Sequence, residues 1–135
     1  MNVINQKIIK MLQANARESF ATIGKSLDLS APAIGKRVKQ LEDTGIILGY
    51  SLKLNNEKLG VTTRAYINLK IHQSSTIRTA YNQIKDYHEV QRCDRITGED
   101  SLCILAFFSN NKELITLLER ISQYGVPNTR IILES

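Results

Sequence analysis

The chain has no tryptophan, and only two cysteines, two prolines and two histidines among its 135 residues, with 6% aromatics. Each shortage removes a class of function. Cys93 and Cys103 stand in strand-like stretches and form no CxxC or His/Cys cluster, so both are expected as reduced, packed thiols with no metal between them. His72 and His88 fall at element ends, where exposed or capping roles suit them. No Ser/His/Asp spacing, P-loop or HExxH motif occurs, so neither an enzyme nor a cofactor is expected. No apolar run is long enough to cross a bilayer, which excludes a membrane partner. The opening MNVINQKIIKMLQ reads as an amphipathic helix interrupted by Lys7 and Lys10. It has no unbroken apolar core or cleavage site of a signal peptide, and this places the protein in the cytoplasm.

What is present is a basic excess in one half. Residues 1–60 carry nine Lys/Arg against five acids, whereas residues 61–135 carry nine against eight. A polyanion partner for the first half is the simplest reading of the charge, and a helix-turn-helix framing it would make that partner double-stranded DNA. The stretch FATIGKSLDLSAPAIGKRVKQL, residues 20–41, gives that charge a frame. Phe20, Ile23, Gly24 and Leu27 recur at helical spacing and make one inward face. Asp28 and Leu29 make a turn, Asp tolerating left-handed backbone. Ser30 caps the next helix and Pro32 fits its first turn. Ile34, Val38 and Leu41 then form a buried stripe, with Ala33, Lys36, Arg37, Lys39 and Gln40 outside it or at its border. This is a helix-turn-helix, whose second helix enters the major groove. Ser30 or Ala33 can approach base edges or thymine methyls, and Lys36, Arg37, Lys39 and Gln40 supply base or phosphate contacts. Arg17 and Lys25 suit the DNA backbone. Arg37 has an alternative, pairing with Glu42 or Asp43.

A helix before this unit carries Ile4, Ile8, Met11 and Leu12, with Asn2 as cap, and Ser19 caps the second helix. Gly45 ends the third. Residues 46–54 alternate, with Tyr50, Leu52 and Leu54 against Ser51 and Lys53, as a strand would. The expected division is 1–50 for DNA binding, 51–61 as a strand linker, and 62–135 as a second domain. That domain reads strand 63–71, helix 76–87, strand 90–97, turn 98–101, strand 102–108, helix 112–124 and strand 129–133. The order βαββαβ is ferredoxin-like, so the fold class is α+β, a winged-type helix-turn-helix domain followed by a ferredoxin-like one. LCILAFF is apolar on both sides, and two helices cover only one face of such a sheet. Burial of the other face against a second subunit follows.

On these residues the chain resembles the Lrp/AsnC family of feast/famine transcription regulators over nearly its full length. LDLSAPAIGKRVKQLEDTGIILGY, residues 27–50, looks like the family's helix-turn-helix and exit strand. TGED at 97–100 stands where the family has a glycine-acidic turn. The resemblance implies homodimers joined through the C-terminal sheets and assembled into tetramers or octamers. It also implies a DNA dyad read by two helices, and an amino acid or similar effector bound between dimers. The implied effector residues are Gly98, Glu99, Asp100 and Ser101. Many members end this turn with an acid that holds the effector's amino group, and here Ser101 stands in that place. Asp100 takes over, or the ligand lacks an amino group, or there is none. Two rival functions share parts of the pattern. One is an architectural DNA-binding protein without effector. The other is a sirohaem-decarboxylase-like subunit, against which the basic third helix argues.

Overall fold

The computed structural model describes residues 2–135. Contacts gather into two units, Met1–Lys53 and Leu54–Ser135.

The first unit holds helices α1 (Val3–Ala14), α2 (Phe20–Leu27) and α3 (Ala31–Asp43). Each begins at a side-chain cap that satisfies otherwise unpaired N–H groups. Asn2 Oδ1 accepts from the Ile4 N–H at 2.7 Å, and the hydroxyls of Ser19 and Ser30 accept from Thr22 and Ala33 at 3.0 and 3.2 Å. Ile8, Leu12, Ile23, Ile34 and Val38 form the core, with Ile4, Met11, Leu27, Leu29 and Ile47 packed around it. Phe20 departs from the expected inward face. It is 40% exposed, and its ring lies against Gly35 of α3. Beyond Gly45, which takes a left-handed turn at φ +76°, residues 46–54 form no strand. Their alternation is genuine, but a strand needs a ladder partner and the chain brings none to them. Leu48 and Leu52 are left 94% and 82% exposed.

The second unit holds β1 (Thr63–Ile71), α4 (Ile77–Ile84), β2 (Val90–Arg95), β3 (Leu102–Phe108), α5 (Asn111–Ser122) and β4 (Gly125–Ile131). One 3-10 turn, Ser74–Thr76, leads into α4. The antiparallel sheet runs β2-β3-β1-β4, the ferredoxin-like order. Ala65, Ile67 and Leu69 of β1 and Leu102, Ile104, Ala106 and Phe108 of β3 meet Ala80, Ile84, Leu117 and Ile121 from the helices. The last strand starts earlier than its sequence suggests and includes Pro127, opposite Leu69. β4 is an edge strand, where a missing N–H is tolerated.

The two cysteines occupy opposite faces, since Cys93 is opposite buried Ile104 and Cys103 opposite Asp94. Burial pushes the Cys93 thiol up to about 11, with Asp94 and Cys103 adding to the effect. The thiolate is the reactive form. Alkylation of Cys93 by iodoacetamide at pH 8 is therefore expected to run roughly a hundredfold slower than for an unperturbed thiol. Equal rates, read by mass spectrometry, would show that the site opens.

Away from the helices the sheet presents Cys103, Leu105 and Phe107, all half-buried, and Tyr66, 48% exposed. The register sets Arg92 opposite Leu105, Leu105 opposite Tyr66, and Tyr66 opposite Arg130. An apolar centre is thus flanked by a cation at each end.

Candidate functional site

The turn between α2 and α3 sets the direction of α3. Asp28 takes the left-handed conformation, φ 56° and ψ 42°, at the end of α2. Its N–H and that of Leu29 both reach back to the Gly24 carbonyl. The Leu29 backbone in turn lies so close to Gly24 that no Cβ fits between them. Ser30 follows as the cap, so its hydroxyl is engaged in fixing the start of α3. Ala33 is half-buried in the first turn, one step above it.

Burial of Ile34, Val38 and Leu41 rolls α3 so that Lys36, Lys39 and Gln40 face outward. Lys39 is held by Asp43 at 3.4 Å, one turn on, and both remain well exposed. Such a pair stabilises weakly and yields readily to a phosphate. Lys36 has no ion-pair partner among the described residues. Lys25, in the last turn of α2, and Arg17, before it, are exposed as well. Arg37 behaves differently. It is half-buried and its Nη1 donates to Asn5 Oδ1 of α1 at 3.1 Å. Neither acid suggested for it is its partner: Asp43 pairs with Lys39, and Glu42 accepts from the Tyr50 hydroxyl at 3.0 Å. Burial, then the bond to Glu42 and its charge, raise the Tyr50 hydroxyl above its ordinary range. Asn5 and Tyr50 are thus parts of this frame that spacing alone does not reveal.

A groove of about 620 Å³ lies between the end of α1 and residues 46–53. Ile9, Leu12, Ile46, Leu48 and Leu52 supply apolar walls, with Arg17 at its border.

In the second unit, Gly98 adopts φ +105°, which few side chains tolerate, and opens the β2–β3 turn. Ser101 closes it. Its N–H donates to Leu69 at 2.8 Å, its carbonyl accepts from Ile96 at 3.0 Å, and its hydroxyl accepts from the Ile71 N–H at 3.4 Å. Ser101 therefore serves the sheet with all three groups. Glu99 Oε1 accepts from Lys70 Nζ of β1 at 2.9 Å. That bond and the ammonium's charge hold the Glu99 carboxyl below its usual range, and Lys70 rises in response to the same partner. The pair is exposed, so it is present at neutral pH and is lost as pH falls through the depressed carboxyl value. Asp100 is half-buried beside it. Among the described residues no group of three or more His, Cys, Asp and Glu side chains is placed to hold a metal ion. No described helix is long and apolar enough to cross a membrane.

Comparison with known proteins gives this geometry its context. The AsnC-type helix-turn-helix domain model matches residues 1–42, and the Lrp/AsnC ligand binding domain model matches residues 64–134. An uncharacterised helix-turn-helix-type transcriptional regulator of Pyrococcus abyssi is 31% identical over 137 residues, covering 99% of this chain and 92% of its own. The transcriptional regulator LrpA of Bacillus subtilis is 28% identical over 133 residues, covering 96% of each. A Neisseria meningitidis transcriptional regulator, solved as a complex with L-Met, superposes with a TM-score of 0.90 at 24% identity, covering 100% of this chain and 91% of that one. That last likeness speaks to the fold. With both halves matched in order and over nearly the whole length, the chain belongs to the Lrp/AsnC family of transcriptional regulators, with a DNA-binding and a ligand-binding domain.

Proposed function

We propose that the protein is a sequence-specific DNA-binding regulator whose grip on an operator is modulated by a small metabolite, an amino acid being the class favoured. The observation that carries this reading is α3, a capped helix with Lys36, Lys39 and Gln40 turned outward, in a chain that also holds a ligand-binding domain. In this reading Ala33 and Gln40 read base edges, and Lys36 and Lys39 meet phosphates or bases. The Ser30 hydroxyl, bonded as a cap, can still donate its own proton to a phosphate. Arg17 and Lys25 hold the backbone. Arg37, tied to Asn5, acts by bracing α3 against α1. The turn Gly98, Glu99, Asp100 and Ser101 receives the effector, with backbone N–H groups near Gly98 for a carboxylate and an acid for an ammonium.

Assembly completes the mechanism. The sheet face centred on Leu105 and Tyr66 pairs with its copy in a homodimer, and dimers build tetramers or octamers. The unladdered residues 46–54 supply backbone groups for a second copy to pair. Oligomerisation fixes the spacing of recognition helices, and operator half-sites must match it. An effector shifts that spacing or the assembly state only by binding one arrangement better than another. The protein works in the cytoplasm, where such operators lie.

The test is a fluorescence titration of the intact protein against its own upstream region at several salt concentrations. Specific, salt-sensitive binding is expected. Lys36→Ala is expected to weaken it and to reduce the slope of log affinity against log salt by about one. An unchanged slope would remove Lys36 from the phosphate contacts. Equal affinity for unrelated DNA would favour an architectural role.

A further inference from the structure

The Gly98–Ser101 turn carries an unequal set of charges. Lys70 brings one cation to it, while Glu99 and Asp100 bring two anions. Lys70 spends its contact on Glu99, at 2.9 Å. Asp100 attracts the same ammonium from a distance but has no ion pair of its own among the described residues. Ser101, where a third acid could stand, is uncharged and bound into the sheet by its N–H, carbonyl and hydroxyl. The turn therefore keeps one acid, Asp100, beyond the one that Lys70 pairs with.

Resting on the reading of this turn as the effector site, we infer that Lys70 is a specificity-determining residue that restricts the effector to molecules with a single ammonium group. One ammonium satisfies Asp100. A second, as on a dibasic amino acid, has only Glu99 left to meet, and Glu99 already holds Lys70. The newcomer must displace that ammonium or lie beside it, and like charges at this range repel. An uncharged side chain meets no such competition. Lys70 thus acts as a resident stand-in for a ligand's second cation. It belongs to β1, 29 residues before its partner, and is placed there by register: Lys70 lies opposite Val126, on the sheet face away from the helices.

Isothermal titration calorimetry on the full-length protein tests this, with L-methionine and L-ornithine as probes at neutral pH. The wild type is expected to bind L-methionine at least about fivefold more tightly, the discrimination that an exposed ion pair can supply. Lys70→Met leaves Glu99 free, so ornithine is expected to gain about fivefold while methionine changes little. Lys70→Gln, which keeps length and polarity but removes the charge, is expected to behave alike, and circular dichroism checks the fold of both. An unaltered methionine-to-ornithine ratio in both folded variants would overturn the inference. If Asp100→Asn still abolishes methionine binding in that case, the effector-site reading stands without it. If the wild type binds none of the twenty amino acids, that reading fails for amino acids and the inference falls with it.

Discussion

Gly24→Ala is expected to lower the melting temperature of the helix-turn-helix unit by about 10 °C and to weaken DNA binding with it. Two effects oppose each other at this position. Alanine is the better helix former, by about 1 kcal/mol. Its Cβ, however, would stand under 3.0 Å from the Leu29 carbonyl oxygen, and 3.2 Å from the carbonyl carbon. Both are backbone atoms of the turn, so no side chain can rotate away. Overpacking of this kind costs about 3 kcal/mol, and the loss wins by about 2 kcal/mol. The unit relies on few buried side chains, chiefly Ile8, Leu12, Ile23, Ile34 and Val38, so the deficit is a large part of its stability. Relief by moving Leu29 would shift Ser30 and with it the start of α3. Circular dichroism melts and the operator titration check both readouts. A variant that melts like the wild type would show that the turn yields without effect.

Gly125→Ala is expected to do greater harm in the second unit. A Cβ there would lie 2.7 Å from the Lys70 carbonyl carbon and 2.8 Å from the Ile71 Cα, with the Lys70 oxygen nearer still. These atoms belong to β1, a central strand that pairs with both β3 and β4. No helix propensity offsets the clash, and β1 cannot retreat without breaking its ladder with β3. A loss of 3 kcal/mol or more is estimated, at the upper end of overpacking. The urea midpoint of this unit should fall by more than about 1 M. A midpoint within error of the wild type would mean that β4 can slide along its partner freely.

Local chemistry was the legible part of this chain. Asn2, Ser19 and Ser30 read as caps and are caps. Asp28 reads as a left-handed turn residue and is one. The alternation in β1 gives its bounds, because half of that strand faces a core, whereas β3 is legible as a short apolar run set off by turn residues. What escaped depends on residues far apart. The pairs Arg37–Asn5 and Lys70–Glu99 span 32 and 29 residues, and only folded registers bring them together. Residues 46–54 carry strand periodicity without a strand, since pattern announces a face and says nothing of a partner. Phe20 sits on the expected stripe yet remains 40% exposed, its ring spread over Gly35, where the absence of a side chain leaves room.

Each unit keeps a core of its own, helical in one and sheet-backed in the other. A substitution in either core can therefore be accepted or rejected on the merits of that unit. Such a chain is open to piecemeal inheritance. Its ligand-binding domain can change while its DNA-binding domain stays fixed, and the reverse. A chimera that joins residues 1–53 to the sheet unit of a relative should fold, and its loyalties in the cell would be divided along the same line.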